Sequence, residues 1–173
     1  MTTISHTSVR EMLVRAFVRT FYRHYAGLFL FVFVVFFGIV APSMQIDYHY
    51  KLIMGMLETP GLMAVVMLGW LGYGLMCVHW VWSRLRHPAY RYLFVLPGGI
   101  NMDLLMRMLL WVQLLLYSPV WIYALATAGV AVRKGMNFSA GIVVLYMIAI
   151  CVACARLYRW WLLRTAKSLN PGL

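Results

Sequence analysis

Carboxylates are nearly absent: Glu11, Asp47, Glu58 and Asp103 are the only four in 173 residues. None falls deep inside an apolar run, which removes the buried Asp or Glu relay of a proton-coupled transporter acting alone. Charge of either sign is scarce, at 11% of the chain, against roughly a quarter in a soluble domain. With 64% hydrophobic residues and a mean hydropathy of +0.82, too little polar surface exists to cover a particle in water. Hydrocarbon must be part of the solvent. The three cysteines, Cys77, Cys151 and Cys154, all lie in apolar runs, so no disulfide framework is implied. Cys151 and Cys154 form a CxxC, but hydrocarbon disfavours the thiolate that redox chemistry needs, and packing is the expected role. Paired carboxylates, a GxxxxGK[ST] loop and an HExxH helix are missing, and "FSAG" at Phe138–Gly141 lacks the first glycine of a nucleophile elbow. Nothing here names a reaction, and the expectation is a protein that is not an enzyme.

What is present is apolar length. Four runs approach the ~20 residues that a helical span requires: residues 24–42, 61–83, 106–132 and 138–157. Backbone in hydrocarbon must satisfy its hydrogen bonds internally, and the runs do not alternate in polarity, so helices are expected rather than barrel strands. The predicted fold is all-α: a polytopic membrane protein with four transmembrane helices and an N-terminal amphipathic surface helix, forming one domain over residues 1–173. Pro42 directly after Ala41 opposes cleavage of the first run as a signal peptide. Ser118-Pro119 predicts a kink in the third span. Small residues at Gly69, Gly72 and Gly74, at Ala124 and Ala128, and at Ala149 and Ala153 predict close helix contacts.

A net charge of +11 would suggest nucleic acid in a soluble protein. Here the basic residues sit almost wholly between the apolar runs, so no nucleic-acid partner is expected. Ten lie in segments 1–23, 84–105 and 158–173, Arg107 and Arg156 lie at the adjoining ends of the third and fourth runs, and only Lys51, Arg133 and Lys134 lie on the alternate side. Positive charge is held back on the cytoplasmic side, which predicts both termini inside.

The segment before the first span places Arg15, Arg19 and Arg23 on one helical face and Val14, Phe17 and Phe21 on another. A helix resting on the cytoplasmic leaflet fits, as does a polar extension of the span. Residues 42–60 suggest a short interfacial helix with Ile46, Ile53 and Leu57 together. The loop "RHPAYRYLFVLP" at Arg86–Pro97 is bracketed by prolines and is both basic and aromatic. Anionic headgroups alone account for Arg and Tyr at that face. Docking of a soluble partner through Tyr90, Arg91, Tyr92 and Phe94 is the sharper reading. Arg159 and Arg164 in the tail belong to the membrane surface, beside a belt of Trp80, Trp82, Tyr158, Trp160 and Trp161. His24 and His79, near the same side, would be the ligands if the protein were a haem- or quinone-linked redox subunit; the leading reading takes no cofactor and no metal.

The order of these parts resembles the front portion of permease subunits of bacterial ABC exporters, of the ABC-2 or Ecs-like kind. The residues carrying the likeness are "RTFYRHYAGLFLFVFVVFFG" at Arg19–Gly38, "RHPAYRYLFVLP" and "YSPVWIYA" at Tyr117–Ala124. Such permeases usually have at least six spans, against four here. The resemblance implies a subunit of the bacterial inner membrane, driven by a separate ATPase that Tyr90, Arg91, Tyr92 and Phe94 would contact. It also implies an export path shared with a second permease copy or other membrane subunits. The competing reading is a non-catalytic scaffold that assembles a larger complex.

Overall fold

A computed structural model describes residues 6–38, 41–87 and 102–169. These form seven α-helices and, among the described residues, no strand. They are α1 (His6–His24), α2 (Ala26–Phe33), α3 (Gln45–Glu58), α4 (Pro60–Leu85), α5 (Met102–Leu116), α6 (Ser118–Arg133) and α7 (Asn137–Leu169). A π-helical turn, Val34–Gly38, extends α2, and a 3-10 turn, Pro42–Met44, leads into α3.

Two of these are long and apolar enough to cross a membrane: α4, with mean hydropathy 1.9, and Asn137–Arg164 of α7, with 2.5. The pair Asp103–Leu116 and Ser118–Arg133, bent by 62°, makes a third if counted as one span. The first apolar run has a different form. Its described helical part covers residues 26–38, about 20 Å at 1.5 Å per residue, and residues 39 and 40 lie outside the described residues.

The kink falls where proline dictates it. Pro119 has no N–H for the Leu115 carbonyl, and the Ser118 hydroxyl donates to that oxygen instead, at 2.8 Å. Val120 N–H turns back to Tyr117 O, which frees the Leu116 carbonyl, and Tyr73 of α4 donates its hydroxyl there at 2.8 Å. The bend is thus capped by one local and one distant hydroxyl.

Between α6 and α7 the chain reverses in three residues. Gly135 takes φ +75°, Met136 N–H bonds Ala131 O and Gly135 N–H bonds Val132 O. These two bonds and the left-handed glycine make a Schellman turn, and a side chain there would be strained. The broadest helix contact in the bundle follows, α6 against α7, with Ala124, Thr127, Ala128 and Ala131 buried on the α6 side.

The core corrects four expectations. Ala149 and Ala153 are exposed; α7 instead turns inward Ala140, Val143, Met147, Ile150, Cys154 and Tyr158. Helical period fixes that a stripe exists, while neighbouring helices decide which stripe is covered. Gly74 does mediate a close approach, since a Cβ there would lie 3.3 Å from the Tyr117 ring and 3.6 Å from Ile150 Cγ2; Gly69 and Gly72 have nothing within 4 Å. On α3, Ile53 and Leu57 are buried as expected, but Ile46 is 88% exposed and Met56 takes its place. The apolar face of α1 is covered by protein rather than by a leaflet: Phe17 and Phe21 meet Trp80 of α4 edge-on at 6.0 and 5.2 Å, and α1 packs along α5.

Candidate functional site

The segments richest in arginine converge at one end of the bundle. There α1 meets α5 and the last turns of α4, and Trp82 of α4 stacks on Trp161 of α7 with centroids 4.2 Å apart. Arg86 lies over Trp82 at 4.5 Å, Arg84 over Trp80 at 5.4 Å and Arg164 over Trp160 at 4.0 Å. Cation–π contact steadies each guanidinium while leaving donors on its edge for a partner. Arg15, Arg19, Arg23 and Arg159 are exposed at this end too. Of the expected aromatic belt, Trp160 faces outward, whereas Trp80 and Tyr158 are core residues. Tyr90, Arg91, Tyr92 and Phe94 lie outside the described residues.

At the opposite end α3 packs on α4 and α6. Asp47 and Lys51 form an exposed ion pair at 2.7 Å. Lys134 sits over the Tyr50 ring at 5.8 Å, and hydrogen bonding with Tyr50 holds its ammonium above the ordinary lysine range.

Between the ends lies a polar lock in an otherwise apolar core. Gln113 of α5 is buried; its Oε1 accepts from the Tyr158 hydroxyl at 2.8 Å and its Nε2 donates to Cys154 Sγ at 3.7 Å. Tyr117 donates to Trp70 O at 2.8 Å and Tyr146 to Met67 O at 2.7 Å. Helix carbonyls carry a second lone pair, so tyrosines can tie helices together without water. Every partner is committed to another, so the lock holds α4, α5 and α7 in register. The second half of the CxxC packs into this lock, and all three cysteines are free thiols. Gln113 was legible as the one amide inside the third apolar run, a costly residue in hydrocarbon that needs a partner. Its partner, Tyr158, was hidden in the presumed belt.

A cavity of about 550 Å³ opens between α2, α3, α4 and α6, inside the ~300–1,000 Å³ typical of small-molecule sites. Trp70 and Met56 form its buried wall. His49 and Tyr123 are its polar corner, with rings 6.3 Å apart and nearly perpendicular. The Tyr123 hydroxyl is shielded from solvent and finds no hydrogen-bond partner among the described residues, an arrangement that costs about 1–3 kcal/mol unless an acceptor is supplied. His24 and His79 are exposed and do not line the cavity. Among the described residues no group of three or more His, Cys, Asp or Glu could hold a metal ion. No family model, curated protein or solved structure matches the chain, and the reading of the site rests on its geometry.

Proposed function

We propose that the protein is a four-span subunit of the bacterial inner membrane, with both termini cytoplasmic, serving as the permease of an exporter driven by a separate ATPase. One observation carries the reading: the arginine-bearing ends of α1, α4 and α7 gather on one side of the bundle, around the stacked Trp82–Trp161 pair. That basic, aromatic end borders the segment with Tyr90, Arg91, Tyr92 and Phe94, and suits an acidic soluble partner as well as anionic headgroups. Purification in mild detergent tests it. A nucleotide-hydrolysing subunit is expected to co-purify, and replacing residues 90–94 by Gly/Ser is expected to release it while insertion persists. Retention of that subunit by the altered loop overturns the docking role.

The scaffold reading is favoured by α2, which has no fully buried residue: one side packs through Phe29 on Phe21 and Tyr73, and the exposed Leu30 and Phe31 offer the other to a further membrane subunit. A scaffold stays with its complex but shows no nucleotide-dependent change in protease sensitivity, whereas a permease does.

A further inference from the structure

Aromatic contacts fix the depth of α1 against α4. Phe17 meets Trp80 at 6.0 Å, Phe21 meets Trp80 at 5.2 Å and Tyr73 at 6.4 Å, and Phe29 meets Tyr73 at 6.3 Å. Numbers rise along α1 and α2 as they fall along α4, so the two run antiparallel. Tyr25 N–H bonds Phe21 O and Phe29 N–H bonds Tyr25 O, both at 3.0 Å, so α1 passes into α2 as one rod. Trp80 and Tyr73 both belong to the apolar run of residues 61–83, about 10 Å apart along the helix. The second half of α1 therefore stands beside the apolar part of α4 instead of lying across a leaflet.

That half carries charge on its outer side. Arg15, Arg19 and Arg23 are exposed, spaced about 6 Å along the axis, and face away from the buried Val14, Phe17 and Phe21. No carboxylate pairs with any of the three among the described residues. An unpaired arginine beside hydrocarbon is costly, and it is relieved by reaching back to lipid phosphates. Helical side chains lean toward the N-terminus, which on α1 is the headgroup side. Continued at the same helical period, the arginine stripe runs into Ala26, Leu30 and Val34, and Leu30 is 64% and Val34 50% exposed. One outward stripe is thus cationic above and aliphatic below.

We infer that this stripe is a binding site for an anionic glycerophospholipid. Its phosphodiester sits among Arg15, Arg19 and Arg23, where guanidinium edges match phosphate oxygens, and an acyl chain lies along Leu30 and Val34. An acidic peptide or a free phosphate would satisfy the arginines but leave the aliphatic continuation unused. The inference rests on the bilayer reading of the bundle and needs no ATPase, so failure of a hydrolase to co-purify leaves it intact.

The test uses the full chain, purified without partners and placed in phosphatidylcholine nanodiscs. The probe is phosphatidylglycerol with a photoactivatable diazirine in one acyl chain, titrated as a fraction of total lipid and mapped by mass spectrometry. Saturable labelling of residues 15–34 is expected, with the same diazirine chain on phosphatidylcholine needing about a tenfold higher fraction. Arg19→Gln combined with Arg23→Gln is expected to erase that preference. Arg19→Lys combined with Arg23→Lys keeps most of it, and Arg159→Gln combined with Arg164→Gln leaves it unchanged. Should the double glutamine variant fail to insert, Arg23→Gln alone decides, with an expected fall in preference of about threefold. Equal labelling by the two lipids in the partner-free chain would return the stripe to an acidic protein and overturn the inference. An unchanged preference in the glutamine variants, or displacement of the probe by millimolar glycerophosphoglycerol, overturns it too.

Discussion

Two stretches of this chain are alike in composition and opposite in circumstance. "LFLFVFVVFF" over residues 28–37 and "IVVLYMIAI" over 142–150 are both nearly pure hydrocarbon. The second lies on α7, where every third or fourth side chain is buried among α4, α5 and α6. The first lies on α2 and its π turn, where no α2 residue is fully buried, Phe29 alone packs on the core, and Phe31 is 66% exposed. Apolarity selects a non-aqueous environment but does not distinguish protein from lipid. What separates the two is the hydroxyls and small residues interleaved in the bundle helices. Tyr146, Tyr158, Tyr117 and Tyr73 each find an acceptor on another helix, and Gly74 lets rings approach. The α2 stretch has neither device.

This contrast can be broken at three points. The largest effect is expected at Gly74→Leu, because even a Cβ lies 3.3 Å from Tyr117. Overpacking of this kind costs about 1–3 kcal/mol or more, and thermal unfolding in detergent should register it, while Gly72→Leu should leave the transition in place. Equal effects at the two glycines would mean that α4 does not pack as described. Next is Tyr158→Phe, which strands Gln113 Oε1 and is expected to destabilise by about 1–2 kcal/mol. Adding Gln113→Leu should recover most of that loss, since both polar groups then leave together. A double variant as weak as the sum of the two singles refutes the lock. The smallest effect is expected at Phe31→Ala on α2, within about 0.5 kcal/mol for the isolated chain. A loss above about 1 kcal/mol there would show that α2 is covered after all, and the comparison between the two stretches would fail.

How much of this was legible from residues alone depends on how local each rule is. The kink at Ser118-Pro119 was legible because proline acts on the carbonyl four residues back, with no neighbour required. The helical state of residues 45–58 was equally plain, and so was the gathering of basic residues in alternate segments. Ala149 and Ala153 misled because two stripes of α7 are both apolar, and the partners that choose between them lie more than 30 residues away in α4 and α5. The α1 face was readable as amphipathic, but not as covered by Trp80, for the same reason. Gln113 carried a signal that could have been used: a lone amide in hydrocarbon implies a partner. The cavity carried none, since its lining comes from four helices and no two adjacent motifs announce it.

The Schellman turn at Gly135 bears on how the chain is made. Because α6 and α7 are joined by so few residues, their contacts are nearest-neighbour in sequence and close with little loop entropy. The two helices can therefore zip together as a pair soon after the ribosome releases them, leaving α4 to be bound afterwards through its more distant tyrosine ties. A bulky residue at position 135 would then reveal itself less in the finished protein's melting point than in how much protein reaches the membrane.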